Sequence, residues 1–333
     1  MKALTLAWAA GAALALAAPA SAQPYNLTVA GYSPGGLVST AGAGIDRALA
    51  AAYPGSTVTY QTSSGGLANA MLLHQKKVPL AFISDTELAV VIAGKPPFKE
   101  PIKDLRLLFH PYSASSRFQA THVLFNKEWA DKHGVKSMDD IAKKKPPMRI
   151  AFNRPGNLDG DVGIAVFANA GVSLDDIKKW GGQVVRAASQ EMTSLMLDRR
   201  LDGVVFGISI NHPRIQEMDN GLDLVMLPTS ADNAKKVSDQ LGSQPCLIKA
   251  GEYKFLASDS HSVCVGLNTV VRADFDEKTV YNVTKGIVEN LDKYQAAHRL
   301  LQKAVTVQSF TEKGLVPYHP GAEKYYKEKG LLK

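Results

Sequence analysis

The chain has 333 residues, of which 45% are hydrophobic and 21% charged, with a formal net charge of +7. This composition is ordinary for a globular protein, and the length suits two domains better than one core. The lysines are spread widely along the chain, which indicates a solvated basic surface and argues against a nucleic-acid partner.

The first 22 residues have the pattern of an export signal. Lys2 supplies a positive start, residues 3–18 form a nearly continuous apolar run, and Ala-Ser-Ala at 20–22 matches the small-x-small cleavage rule. A membrane anchor is the alternative, but the run is shorter than the roughly 20 residues that a membrane span needs. We therefore expect residues 1–22 to be a signal peptide cleaved after Ala22, and the mature protein to be periplasmic.

Short apolar runs alternate with helical patterns in the first part of the mature chain, which predicts an α/β architecture. Each of three predicted strands leads into a polar loop, and ligands bind at this carboxyl edge in open α/β sheets. Ser84 and Asp85 are predicted to cap the helix that follows the third strand. The predicted strands are 26–30, 56–61 and 78–83, and the predicted helices run through Ile45 and Leu49, over 67–76 and over 87–93.

A second series of alternating elements follows, which predicts another α/β lobe. One of its strands ends in the polar loop Asn153–Asn157, at the corresponding edge of the second sheet. The predicted strands are 105–112, 118–126, 148–152, 203–206, 222–227 and 262–271, and the predicted helices are 161–169, 192–200 and 278–303.

The loop after the first strand contains the pattern G-x-S-x-G, which is typical of the nucleophile elbow of α/β-hydrolases. That chemistry needs the backbone N–H of the residue after the serine, and here this residue is Pro34, which has none. The loop fits a ligand cradle better, because Gly35 and Gly36 let backbone N–H groups approach an anion near a helix N-terminus. A glycine-rich turn without a ligand is the alternative.

Other chemistry is less well supported by the sequence. The two cysteines, Cys246 and Cys264, either form a disulfide or remain two buried thiols. The eight histidines include no pair with the spacing of metal ligands, so we expect no metal. There is no phosphate-binding loop of the G-x-x-x-x-G-K-[ST] type and no coherent set of nucleophile, base and orienting group, so we expect neither a cofactor nor an enzyme.

Several strings, in this order along the mature chain, resemble the TAXI family of solute receptors. These are the extracytoplasmic binding proteins of one branch of the tripartite ATP-independent periplasmic (TRAP) transporters. The most specific is the string at 319–326 near the C-terminus. The strings are Ser33–Gly36, Ser64–Gly66 with Asn69, Leu80–Asp85 with the helix to Gly94, Leu105-Arg106, Gly251–Tyr253 and His319–Tyr326.

The resemblance implies an α/β protein with the type II periplasmic-binding-protein fold, in which two lobes joined by hinge strands close over a solute. It implies residues 23–112 plus 265–333 as lobe I and 113–264 as lobe II. The protein would be a monomer without catalytic activity or cofactor. It would capture a small organic anion or an amino acid and deliver it to a TRAP membrane subunit driven by an ion gradient. The alternatives are a binding module of a sensor or another transporter, and an exported enzyme of unrecognised type.

The cleft loop at 153–161 departs from the Gly-Pro-Pro-Gly-Ser-Gly-Thr-like loop of the family. Arg154 can clamp a carboxylate, whereas Asp159 and Asp161 would repel a carboxylate or pair with an amino group. Arg117 and His122 are further candidates on the strand that enters the second lobe. The predicted ligand-binding residues are Ser33, Gly35, Gly36, Ser64, Gly65, Ser84, Asp85, Arg117, Asn153, Arg154, Asn157 and Gly207.

Overall fold

The computed structural model describes residues 23–32, 37–155 and 157–332, whose backbone forms two α/β lobes, each built around one sheet. The predicted signal peptide and residues 33–36 of the glycine-containing loop lie outside these residues. The strands of the first sheet are β1 (Asn26–Ala30), β2 (Thr57–Gln61), β3 (Leu80–Ser84), β4 (Leu105–Tyr112) and β12 (Leu267–Arg272). The strands of the second sheet are β5 (Gln119–Asn126), β6 (Arg149–Phe152), β7 (Gln183–Arg186), β8 (Gly203–Ser209), β9 (Leu224–Met226), β10 (Gln244–Ile248) and β11 (Ser260–Cys264).

The helices pack on both faces of the sheets. The helices are α1 (Leu37–Ala52), α2 (Gly66–His74), α3 (Asp85–Ala93), α4 (Lys127–His133), α5 (Met138–Lys144), α6 (Leu158–Asn169), α7 (Leu174–Lys179), α8 (Ser189–Leu197), α9 (Pro213–Gly221), α10 (Ala231–Leu241), α11 (Glu277–Glu289), α12 (Leu291–Gln295), α13 (Leu301–Ala304), α14 (Val307–Phe310) and α15 (Pro320–Glu328). None of the helices within the described ranges is long and apolar enough to span a bilayer.

The strand order shows how the chain passes between the lobes. The first sheet has the order β2-β1-β3-β12-β4, with β1, β2 and β3 parallel and β12 antiparallel to its neighbours. The second has the order β10-β11-β5-β8-β6-β7, and β9 pairs with β5. The chain therefore leaves the first sheet after β4 and returns to it between β11 and β12.

Both faces of the central strands are buried, which explains why these strands read as continuous apolar runs. In β3, Leu80 and Phe82 pack in one hydrophobic cluster, and Ala81 and Ile83 pack in the cluster on the opposite face. Because side chains alternate between the faces of a strand, each such run contributes side chains to the hydrophobic clusters on both faces of its sheet. The second sheet has the same arrangement, with its own pair of clusters.

Two predicted elements are each divided into shorter ones in the structure. The predicted helix 278–303 is three shorter helices, because Asn290 leaves the helical conformation (φ −120°, ψ 38°) and its side chain donates to the Gly286 carbonyl. The predicted strand 262–271 is two strands, β11 and β12, in different sheets. Between them the Gly266 N–H donates to the Asp85 carboxylate, and a Cβ at Gly266 would lie 2.5 Å from that carboxylate.

The two cysteines form a disulfide between β10 and β11, which decides between the two alternatives that the sequence left open. The strands pair antiparallel, with Cys246 opposite Ser262 and Cys264 opposite Gln244. The Cα atoms of the cysteines lie 5.8 Å apart. The bond ties the edge strand β10 to the strand from which the chain returns to the first lobe.

Replacing both Cys246 and Cys264 with alanine should lower the free energy of unfolding by about 3 kcal/mol, because the bond closes a loop of 18 residues in the unfolded chain. Urea denaturation followed by circular dichroism measures the change. The wild-type protein treated with a reductant is the control, and it should match the double variant. Equal denaturation midpoints for oxidised wild type and the double variant would contradict the expectation.

Candidate ligand-binding site

A cavity of about 420 Å³ lies between the lobes, within the size range of small-molecule sites. In the first lobe it is lined by residues that follow or end β1, β2 and β3, among them Tyr32, Ser64 and Ser84. In the second lobe it is lined by the loop after β6 and by the end of β8. The carboxyl ends of strands from both sheets therefore meet at one cavity, as is usual for ligand sites in open α/β sheets.

A buried carboxyl group organises the first-lobe wall. Glu87, 1% exposed, accepts hydrogen bonds from the Tyr32 hydroxyl, from Gly66 N at 2.8 Å, and from Ser84 N and Oγ at 3.1 and 2.6 Å. With the Ser84 hydroxyl accepting from Glu87 N, this is a capping box at the start of α3. Burial raises the pKa of Glu87, and the hydrogen bonds from Ser84, Tyr32 and Gly66 oppose that rise.

Gly66 is required for this arrangement. A Cβ built on Gly66 would lie 2.1 Å from Glu87 Oε2 and 2.7 Å from the Tyr32 hydroxyl. The close approach lets the first residue of α2 donate its N–H directly to the carboxylate. Three loops of the first lobe are thus held together around one acidic side chain.

The second-lobe wall carries another enclosed carboxyl group. Asp159 lines the cavity and accepts a hydrogen bond from Gln119 Nε2 at 2.9 Å, and Gln119 Oε1 in turn accepts from the Tyr112 hydroxyl at 2.5 Å. Burial raises the pKa of Asp159 to about 7, with a further rise from the negative charge of Glu87. A Cβ at Gly207 would lie 2.6 Å from the Asp159 carboxyl carbon, so only glycine leaves this group room.

Basic groups lie at the same cavity but are more exposed. The Arg154 side chain is 60% exposed and forms an ion pair with Glu191 at 3.4 Å. Arg214 donates to the side-chain oxygen of Gln190. His212 caps α9, and burial, with the nearby Arg214 charge, lowers its pKa to about 4, so it is neutral at pH 7. The enclosed part of the cavity is acidic, and the guanidinium groups are available to an anion from the more open side.

Six of the twelve predicted ligand-binding residues line this cavity, and three others do not. Ser33, Gly35 and Gly36 lie outside the described residues. Whether a residue of the cavity wall contacts a solute stays a prediction. The residues that line the cavity are Ser64, Ser84, Asn153, Arg154, Asn157 and Gly207.

Three of the predicted residues are not in the wall of this cavity, namely Gly65, Asp85 and Arg117. Gly65 is the residue before α2, with a backbone φ of 149°. Asp85 turns away and accepts from Gly266 N and Asn268 Nδ2, each at 2.8 Å. Arg117 is held by Glu252 at 2.9 Å and by the Leu247 carbonyl at 2.8 Å.

His122 is also absent from the cavity wall. It is fully buried in the second lobe, with Nε2 paired to the Tyr253 hydroxyl at 2.8 Å and Nδ1 to the Ala120 carbonyl at 2.9 Å. Burial lowers its pKa to about 4, so the ring is neutral at pH 7.

Sequence reasoning missed several residues of the cavity wall. The Ser84–Glu87 spacing is a capping-box signal, but it does not show that the carboxylate turns toward a cavity. His212 and Arg214 follow the polar end of β8, which could have marked them as candidates. Tyr112 and Gln119 give no signal, because they meet only where the chain passes between the sheets. Among the described residues, no group of three or more His, Cys, Asp and Glu side chains is arranged to hold a metal ion.

The fold is similar to that of several solved proteins. MatC from Rhodopseudomonas palustris with bound malate shares 13% identity over 92% of this chain and 97% of that chain, with a TM-score of 0.55. PhnD1 from Prochlorococcus marinus in complex with methylphosphonate shares 13% identity over 93% of this chain and 100% of that chain, with a TM-score of 0.54. A structure described as a periplasmic transporter shares 15% identity over 91% and 92% of the two chains, with a TM-score of 0.53.

These likenesses confirm the predicted fold class, the two-lobed type II periplasmic-binding-protein fold. A family model described as the NMT1-like family matches residues 30–330, so the chain belongs to that family.

Proposed function

We propose that the protein is a periplasmic receptor that binds a small organic anion or amino acid and has no catalytic activity. The observation that carries this proposal is the interlobe cavity, which is lined by strand ends from both sheets. A solute bound there contacts both lobes and therefore stabilises their closure. Malate and methylphosphonate, bound by two proteins of similar fold, are both small organic anions.

The charges of the cavity narrow the solute class. Arg154 and Arg214 each carry a planar guanidinium group whose N–H donors can form two hydrogen bonds to a carboxylate. Glu87 and Asp159 are acidic and enclosed, so they suit a donor such as an ammonium group. A solute with an anionic group at the open side and an amino group at the enclosed side can pair with the arginines and with the two carboxyl groups. We therefore expect amino acids to bind more tightly than simple dicarboxylates.

A thermal-shift screen of amino acids and carboxylates tests the receptor function. A solute at 100 times its dissociation constant should stabilise the folded protein by about 2.7 kcal/mol. The screen should be run on protein lacking residues 1–22 and refolded from denaturant, so that a co-purified solute does not occupy the cavity. No stabilisation by any member of a broad panel would contradict the proposal.

Substituting Arg154 with alanine should weaken solute binding by roughly ten- to a hundred-fold, since a charge-assisted contact contributes about 1.5–3 kcal/mol. Calorimetric titration with the solute from the screen measures the change. Arg199→Ala is the matched control, because Arg199 is a similarly exposed arginine of the second lobe that pairs with Glu128 outside the cavity. Equal affinities of the two variants would show that Arg154 does not contact the solute.

The membrane partner that we propose is the membrane subunit of a TRAP transporter, to which the monomeric receptor delivers its solute. The support is the set of TAXI-like strings, such as the one at 319–326, together with the predicted export signal. The rival is a receptor of the same fold that serves a sensor or an ATP-driven transporter. Uptake by proteoliposomes that contain the TRAP membrane subunit should require this protein and an ion gradient. Uptake that requires ATP would favour the rival.

A further inference from the structure

A second cavity, of about 350 Å³, lies between the lobes and shares no described wall residue with the first. Its first-lobe wall carries Asp85, His110 and Glu312, and its second-lobe wall carries Ser243 and Gln244 from the segment after α10. The connection from β4 to β5 passes between these walls. The volume is within the range of sites for small organic ligands.

The wall holds two carboxylates whose charges are not neutralised. Glu312 accepts from the hydroxyls of Ser113 and Ser115 at 2.9 and 2.6 Å. Asp85 accepts from one backbone N–H and one amide side chain. All four donors are neutral, and neither carboxylate forms an ion pair with a residue in the described ranges. Both carboxyl groups are partly exposed, and two negative charges at one cavity favour a positively charged ligand.

A buried histidine supplies a further acceptor. His110 is 3% exposed, and its Nε2 lies 3.2 Å from the Glu312 carbonyl, which can only accept. Burial lowers the pKa of His110, so the ring is neutral at pH 7, and the backbone carbonyls of Glu312 and Leu267 both act on it. With the Nε2 proton donated to the Glu312 carbonyl, Nδ1 is buried and forms no hydrogen bond of normal geometry with a described residue. A ligand that donates an N–H group satisfies this atom.

Features of the opposite wall favour the same ligand class. The Ser243 hydroxyl is also buried without a partner among the residues that the structure describes. It follows the C-terminus of α10, where Gly242 is the capping residue in the left-handed conformation. The last carbonyls of a helix carry partial negative charge and stabilise a nearby cation. Lys313, the cationic residue of the described wall, is exposed and can extend into solvent.

We propose that this second cavity is a binding site for a small organic cation of the ammonium or guanidinium class. The cation donates its N–H groups to Glu312, Asp85 and Nδ1 of His110, and it contacts the second lobe at Ser243. Since it touches both lobes beside the connection between them, it favours the closed arrangement. The site is independent of the identity of the solute in the first cavity.

Calorimetry of the solute-free mature protein with 1,4-diaminobutane tests this site, with 1,4-butanediol as the neutral probe of similar length. The diamine should bind saturably and the diol should not. Glu312→Gln should weaken diamine binding at least tenfold. The matched control is Glu323→Gln, which removes an exposed carboxylate of the same lobe that pairs with Lys327, and it should leave the affinity unchanged.

A second variant keeps the test decisive if Glu312→Gln fails to fold. Ser243→Arg places a tethered guanidinium at the partly exposed edge of the cavity, and it should abolish diamine binding and raise the melting temperature. No saturable binding of the diamine to wild-type protein would overturn the proposal. Equal loss in both glutamate variants, or binding of Ca²⁺ at Glu312 without binding of the diamine, would also overturn it.

Discussion

At pH 8, Asp159→Asn is expected to raise the melting temperature of the solute-free protein and at the same time to weaken solute binding at least tenfold. The folded-state pKa of Asp159 is raised from 3.8 to about 7 by burial, so the folded protein holds a proton that the unfolded chain releases near pH 4. Stability from this group is therefore lost as the pH rises from about 4 to 7. The full cost, on the order of 2–4 kcal/mol, is present at pH 8.

Asparagine keeps an oxygen that accepts from Gln119 but carries no charge, so it removes this cost. Thermal unfolding of both proteins at pH 4 and pH 8 measures the difference, which should be small at pH 4 and large at pH 8. Asp175→Asn is the control, because Asp175 is an exposed carboxyl of the same lobe. If Asp159→Asn and the wild-type protein have the same melting temperature at pH 8, the buried carboxylate of Asp159 does not destabilise the folded protein.

The same pKa determines how solute binding depends on pH. If the ionised Asp159 pairs with an ammonium group, affinity should rise about tenfold per pH unit between pH 5 and 7 and level off above. Gln119 donates directly to Asp159, the charges of Glu87 and Tyr112 act on it from the first lobe, and the neutral His212 does not titrate in this window. Calorimetric titrations at pH 5, 6, 7 and 8 test this. Affinity that falls with pH would instead show a protonated Asp159 that donates to an anionic group.

Glu87→Ala is expected to lower the free energy of unfolding by roughly 3–5 kcal/mol, since it leaves buried donors without an acceptor. The Tyr32 hydroxyl, Gly66 N and Ser84 N lose their shared partner, and the buried carboxylate volume becomes a void. Solute binding should also weaken, because the loops after β1 and β2 are no longer tied to α3.

Urea denaturation of Glu87→Ala and Glu87→Gln separates the effect of lost side-chain volume and hydrogen bonds from the effect of the lost negative charge. Glutamine retains the volume and one acceptor oxygen, so its cost should be less than half that of alanine. Glu100→Ala, at an exposed position of the same lobe, is the control and should change stability little. A Glu87→Ala variant as stable as the control would show that the loops are held by other contacts.

Strands and helix caps could be predicted from the sequence where residues close along the chain determine the local structure. The strands Asn26–Ala30 and Leu105–Tyr112 are confirmed at both ends, because their apolar runs are bounded by polar or glycine-containing segments. The helix cap at Ser84 is confirmed as well, since a capping box depends on four consecutive residues, although the helix begins at Asp85 and not at Glu87. The strands β7 and β10 were missed because both are half exposed and carry no long apolar run.

The groups that define the two cavities come from distant parts of the chain. Glu87 and Asp159 belong to different lobes, and His110 and Glu312 lie 202 positions apart. Periodicity reports which face of a strand is buried, but it carries no information on which strands become neighbours or how two sheets face each other. The N-cap of α3 and several of the strands could thus be read from the amino-acid order. The disulfide pairing, the enclosed charge of Asp159 and the acceptor-lined second cavity depend on long-range packing, because burial and opposing side chains exist only once both sheets have assembled.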